Sequence, residues 1–372
     1  MRVAVAVLLV VHGLVHLLGF VKAWRIAPVP QLSGATLFPL PASAERPVGL
    51  LWLLACLALV GAAAMLLAGG ASWWILAAGG VALSQLLVVH AWPDAKAGTV
   101  ANVLLAAAVV VAAAQARFDR ETDRVVRSLL SRAPAAAGAP VRREELQPLP
   151  APIRRWLEAS GAVGRPRTRT VHLWQRGELR TAPGQGWMPA EAEQVFTLDE
   201  PAFAWRVKVR MMRVLPVAGR DTYLDGRGRM LIELASLVPM VDASDEKIHQ
   251  GALLRFLGEM VWFPSAALSP YLAWEPIDET SARATMTWRG VSASAVFSFD
   301  ERGRVREMSA QRWMGGGEKA TLERWVVAAT EWREMDGVAI PVKGEVVWRL
   351  KEGDFSYYRW AITALQYDRP AR

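Results

Sequence analysis

The chain has 372 residues, 53% of them hydrophobic, with a net charge of +8 and a mean hydropathy of +0.19. A chain this apolar is not disordered, because burial can offset its ordering entropy. The charge also excludes nucleic acid, since the basic residues gather on no single arm or face: residues 1–116 hold Arg2, Lys22, Arg25, Arg46 and Lys96 against Glu45 and Asp94, and the remainder interleaves both signs.

Four uncharged stretches come first, near 3–21, 48–68, 73–92 and 97–116. Each has about the 20 residues that a spanning helix needs. Trp24, Trp52, Trp73, Trp74 and Trp92 fall near their ends, as interfacial anchors do. No small-residue cleavage site follows His16-Leu17-Leu18-Gly19-Phe20, so the first stretch reads as a span and not as a signal peptide. Arg2, Arg117, Arg120, Arg124, Arg127 and Arg132 flank one side, against Lys22, Arg25, Arg46 and Lys96 on the other. That excess places both ends of the span region in the cytoplasm of a bacterial inner membrane, and the rest of the chain with them. Cys56 is the only cysteine, so no disulfide forms within the chain.

An amphipathic extension, with Phe118, Val125, Val126, Leu129 and Leu130 on one side, completes a first domain over 1–132. Residues 133–152 carry five prolines and predict a semi-stiff linker. From about 168 the apolar period changes to two. Phe203–Met211, Arg283–Trp288, Val291–Phe299 and Ile340–Leu350 alternate apolar with polar residues, the mark of half-buried antiparallel strands. Arg176-Gly177, Asp225-Gly226, Arg302-Gly303, Asp336-Gly337 and Glu352-Gly353 are placed at hairpin turns. Nine to eleven strands in a meander are expected over 153–372. One helix interrupts them, with Ile248, Ala252, Phe256 and Met260 at i+4 spacing and Asp245 and Glu246 in its first turn. The fold class is therefore α+β: an N-terminal four-helix transmembrane bundle, then a curved antiparallel β-sheet, or half-barrel, with an inserted helix.

The Arg255-Phe-Leu-Gly-Glu259-Met-Val-Trp262-Phe-Pro264 block, with Gly219-Arg-Asp221-Thr-Tyr223 before it and Asp336-Gly-Val-Ala-Ile-Pro341 after it, resembles an uncharacterised bacterial family. Its members are a domain of unknown function often found behind membrane helices, and the resemblance covers about 145–370. The His12-Gly-Leu-Val-His16 start is similar to small membrane proteins seen near that family. More loosely, the strand–helix–strand order and the Asp-Gly-x-x-Ile-Pro hairpin resemble the lipoprotein-carrier and lipoprotein-sorting group. That resemblance implies a curved half-barrel holding an acyl chain, although four helices set this chain apart from such carriers.

The residues offer three chemistries. Arg255 and Glu259 lie one helical turn apart, either as a plain ion pair or as a polar pair at a pocket mouth with Trp262 in line. Arg220 and Asp221 form a second candidate pair. Trp205 and Trp288 head a set of strand tryptophans suited to an apolar lining. In the spans, His12 and His16 share one helix face and His90 is the only further candidate ligand. The i,i+4 pair can share a small metal ion but cannot supply both axial ligands of a haem, which would need His90. His16 and His90 differ in depth by about 6 Å if their helices run the same way. The other reading is hydrogen bonding between helices, with Ser84, Gln85 or Asn102 as partners.

The β region has no cysteine, no His-Glu-x-x-His, no Gly-x-Ser-x-Gly and no Walker loop. Gly315-Gly316-Gly317 is a hairpin or flap. These features predict a membrane-anchored binding module for a lipid or other apolar small molecule, with a partner membrane protein as a further candidate. Two alternatives remain: a metal or haem redox unit on His12, His16 and His90, and a carboxylate-dependent enzyme acting on a lipid-like substrate. No cofactor is identifiable from the sequence.

Overall fold

A computed structural model describes residues 2–134, 138–212 and 214–368. It divides into two compact units, 1–118 and 119–372. The first contains α1 (Arg2–Ala23), α2 (Glu45–Ala68), α3 (Trp73–His90) and the short α4 (Trp92–Ala95), together with most of α5 (Gly98–Leu130). Four of these helices are long and apolar enough to cross a membrane. Leu9, Leu59, Ala62, Ala63, Ala77 and Leu105 pack inside. Val7, Val11, Leu54, Leu57, Leu86 and Val103 face outward and exposed. An apolar exterior around an apolar core is what a lipid solvent permits and water does not.

The second unit is a thirteen-stranded antiparallel sheet among the described residues, so the fold is α+β. The strands run β1 (Thr170–Leu179), β2 (Met188–Thr197), β3 (Ala202–Met211), β4 (Leu215–Leu224), β5 (Arg227–Leu234) and β6 (Val238–Ala243). After the inserted helix come β7 (Leu272–Pro276), β8 (Ser281–Trp288), β9 (Val291–Phe299), β10 (Val305–Met314), β11 (Thr321–Met335), β12 (Val338–Leu350) and β13 (Gly353–Tyr367). The spatial order is β6-β5-β4-β3-β2-β1-β13-β12-β11-β10-β9-β8-β7. Two meanders therefore meet where β1 pairs with β13, Val171 opposite Tyr367.

The alternation read from the sequence holds. On β9, Ala293, Ala295, Phe297 and Phe299 are buried while Ser292 and Ser294 are exposed. Thirteen strands exceed the expected nine to eleven. The short edge strands β6 and β7 carry little apolar contrast, so periodicity undercounts them. Arg176-Gly177 is not a turn, because both residues pair within β1, Gly177 opposite Trp360. A Cβ at Gly177 would sit 2.3 Å from the Arg359 carbonyl oxygen. Glycine there serves a close backbone approach. Asp225-Gly226 and Asp336-Gly337 are tight turns with both residues at positive φ.

The inserted helix α7 (Glu246–Glu259) starts at Asp245, whose carboxylate accepts the Ile248 N–H at 3.0 Å. It packs on β4 and β5 and also on β8, β9 and β10, strands far apart in the sheet order. The sheet must curl around the helix for both contacts to exist, which makes it a half-barrel. Close approach depends on Gly228, where a Cβ would lie 2.6 Å from the Ile248 carbonyl oxygen. The outer face is covered locally. Leu129 packs on Ala202 and Ala204, so the start of β3 is buried on both faces, as a covered strand requires. A short helix α6 (Ala151–Ala159) docks through Ile153, Trp156 and Leu157. Part of the proline-rich stretch is also packed: Val141 and Leu146 are buried in the same core.

Candidate functional site

Inside the half-barrel lies a cavity of about 470 Å³, within the roughly 300–1,000 Å³ usual for small-molecule sites. Its wall is made by residues of β1 to β6 and β10 to β13 and by the end of α7. Val207, Val209, Met211, Val217, Ile232, Met240, Val327 and Val346 form the apolar part. Trp205, Trp262, Trp325 and Trp360 line it as well, and Trp262 meets Trp360 edge-on with centroids 5.3 Å apart. At one end the sheet is apolar outside too. Met212, Val214 and Leu215 at the β3–β4 turn, and Leu237, Val238 and Met240 at the β5–β6 turn, are exposed. The two turns are adjacent, since Val217 pairs with Leu234.

The polar part of the wall is one network. Arg255 donates from Nη1 to Asp221 Oδ2 at 2.7 Å and from Nε to Glu259 Oε1 at 2.8 Å. Gln194 Nε2 donates to the other Glu259 oxygen at 2.7 Å. The guanidinium carbon lies 4.4 Å from the Trp205 ring centre and 5.2 Å from that of Phe203. Burial pushes both carboxyls, Asp221 and Glu259, above the ordinary carboxylate range, although Arg255 pulls the other way. Burial opposes the Arg255 charge, and the carboxylates of Glu259 and Asp221 outweigh it, raising Arg255 further. Gln175 Oε1 accepts the Tyr358 hydroxyl at 3.0 Å.

Five of the seven expected site residues in the β domain therefore share one wall: Trp205, Asp221, Arg255, Glu259 and Trp262. Arg220 points to the opposite face of β4, where its Nη1 donates to Thr122 Oγ1 at 3.3 Å. Trp288 stacks edge-on against Tyr271 with centroids 5.9 Å apart and is not on the wall.

The sequence reading missed Arg312. It follows Met308 and Ala310 at the inward register of β10, a position where the alternation calls for an apolar side chain. Its guanidinium carbon is 4.5 Å from the Trp325 ring centre and 5.8 Å from that of Trp348. Its Nε is buried without an acceptor. Beside the large cavity, a vestibule of about 220 Å³ is lined by Lys247, Gly251, Arg312, Gly315 and Trp348. Asp221, Met230, Arg255, Arg312 and Tyr357 line both hollows. The glycine loop between β10 and β11 is tied to α7: Gly317 N–H donates to Asp245 Oδ2 at 2.8 Å, and Lys247 Nζ donates to Gly317 O at 2.7 Å.

The helical unit holds a second cavity, of about 580 Å³, lined among others by His12, His16, Trp52, His90 and Asp94. His16 Nδ1 donates to the His12 carbonyl at 2.8 Å, its Nε2 lies 2.8 Å from Ser84 Oγ, and the Ser84 hydroxyl donates to Asn102 Oδ1 at 2.9 Å. His12 Nε2 then donates to Asn102 Oδ1 at 2.8 Å. Ser84 and Asn102 thus join α1, α3 and α5. Among the described residues no three His, Cys, Asp or Glu cluster as a metal site would require.

Comparison with curated proteins finds no match. Among solved structures, one described as an outer membrane lipoprotein-sorting protein domain from Vibrio parahaemolyticus is similar at 8% identity and a TM-score of 0.35. The likeness covers 55% of this chain and 87% of that one. The model of the "family of unknown function (DUF6544)" matches residues 139–360. That is more than half of the chain and spans most of the half-barrel, so the chain belongs to this family.

Proposed function

We propose that the β domain is a binding module for a lipid or other apolar ligand, anchored by the four helices in a bacterial inner membrane with the domain on the cytoplasmic side. The observation that carries this reading is the cavity of about 470 Å³, apolar along most of its wall, with exposed apolar residues at the neighbouring β3–β4 and β5–β6 turns. Burying an acyl chain there yields about 0.8 kcal/mol per CH₂. Met211, Met230 and Met240 supply flexible, adaptable walls. Arg255 is held by Asp221 and Glu259, which makes it a fixed polar landmark of the wall. Native mass spectrometry of the full chain, released from nanodiscs, tests the reading. A retained lipid is expected. No retained lipid together with no uptake of a fluorescent fatty acid overturns it.

One observation favours a second reading. Asp221 and Glu259 approach one guanidinium in a single concave site, and burial raises both carboxyls. Such a pair suits acid–base work on a lipid-like substrate. Turnover of lipid esters by the intact protein, lost in Glu259→Gln, would support it. Binding without turnover leaves the binding module standing.

A further inference from the structure

A buried guanidinium nitrogen without an acceptor needs an explanation. Arg312 supplies one of these in a wall that otherwise pairs its charges. Arg255 spends its donors on Asp221 and Glu259, and Arg229 spends two of its own on Asp242 at 2.8 Å each. Arg312 forms no ion pair or hydrogen bond among the described residues; it lies over the Trp325 ring, with the ring of Trp348, the cross-strand partner of Trp325, farther off. Asp221 lies near enough to feel its charge but gives its oxygen to Arg255. Lys247 lines the same vestibule, its ammonium 4.4 Å from the Trp313 ring centre. Asp245 beside it is committed to the N–H groups of Ile248 and Gly317. Two cations thus line the small vestibule, and Arg312 also borders the large cavity.

We propose that the ligand is an amphiphile with an anionic head group, a carboxylate or a phosphate, held by Arg312 with Lys247 beside it, its chain running into the apolar cavity. The proposal rests on the apolar-ligand reading above and adds the head group. Arg312 presents donors in a fixed plane, which suits two-oxygen anions. Stacking on Trp325 already restricts its rotamers, so less ordering is lost on binding.

The test uses the full chain in phosphatidylcholine nanodiscs, with empty discs as background. The probes are cis-parinaric acid and its methyl ester, read by energy transfer from the cavity tryptophans. The acid is expected to bind about tenfold or more tighter than the ester, as a charged hydrogen bond implies. Arg312→Gln should remove most of that preference and leave the ester unchanged, and Arg312→Lys should restore part of it. Competition by a single-chain phosphatidic acid ranks phosphate against carboxylate, and either ranking supports an anionic head group. Equal binding of acid and ester in the native protein overturns the head-group proposal and leaves the apolar cavity standing. Loss of both probes in Arg312→Gln, unrescued in Arg312→Lys, makes Arg312 a packing residue and also overturns it. Failure of both probes on the native protein sinks the cavity reading itself.

Discussion

Replacing Arg255 with methionine is expected to cost the β domain far more than its length of side chain implies. Arg255 satisfies two carboxylates at once, at 2.7 and 2.8 Å, in a wall where side-chain exposure is below a fifth for all three groups. Removing the cation leaves Asp221 and Glu259 without the guanidinium that bonds both, and Arg312, which also acts on Asp221, bonds neither. Breaking a buried pair in this way costs about 3–5 kcal/mol. For a unit of this size that is a fall of about 6–20 °C in the thermal midpoint. The triple variant Asp221→Leu, Arg255→Met, Glu259→Met removes the three mutually bonded charges together, and should return to within about 1–2 kcal/mol of the native protein or exceed it. Tryptophan emission in nanodiscs follows the transition, because twelve of the seventeen tryptophans lie beyond residue 118. The Arg255→Met deficit should also shrink on acidification. Both carboxyls are raised, so in the folded state they take up protons above the pH at which the unfolded chain does, and protonation relieves the uncompensated charge. An Arg255→Met midpoint equal to the native one, or a triple variant no more stable than the single, would refute the idea of a mutually compensating network.

Glu193 behaves in the opposite sense. Burial pushes its carboxyl up, but the His172 hydrogen bond and Arg206 prevail and bring it down to about 2. Its contribution, at most about 3 kcal/mol, is present above the ordinary value of 4.5 and is lost as pH falls toward about 2. Glu193→Gln should flatten acid unfolding in that window, and an unchanged acid profile would discount the network. Gly344→Ala places a Cβ 2.3 Å from the Ala328 carbonyl oxygen and 2.2 Å from the Trp360 ring. It should destabilise the domain by at least about 1–3 kcal/mol, whereas Gly79→Ala, with nothing nearby, should be neutral or better in a detergent-unfolding assay. Ser84→Ala removes the partner shared by His12 and His16. It should weaken the helical unit by about 0.6–2 kcal/mol in the same assay. An absorption spectrum of the purified protein checks the haem alternative at His12, His16 and His90, for which a Soret band would be required.

Much of the half-barrel could be read from single strands. Period-two alternation located the inward sides of β3, β9 and β12, and the i+4 apolar row located α7, because each depends on local spacing alone. Strand order did not follow, since it depends on Val171 meeting Tyr367 across most of the domain. Arg255 and Glu259 were legible as a helical pair, but Asp221 as their shared partner needed the curl of β4 over α7. Arg220 looked equivalent to Asp221, and one step of the pleat sends it to the other face. Arg312 carried a usable signal, a charge at an apolar register after Met308 and Ala310. It stayed hidden because β10 is short of strong alternation and Trp313 beside it draws attention to the opposite face.

The seam where β1 meets β13 has a consequence for biogenesis. Every other neighbour in the sheet is a neighbour in the chain, so each meander can form as it leaves the ribosome. The seam alone must wait until β13 has been made, and until then β1 and β12 each expose a row of unpaired backbone groups. Such edges recruit other strands. A truncation within β13, or a translational pause before it, should therefore yield aggregates built on β1 and β12, and not a stable smaller domain.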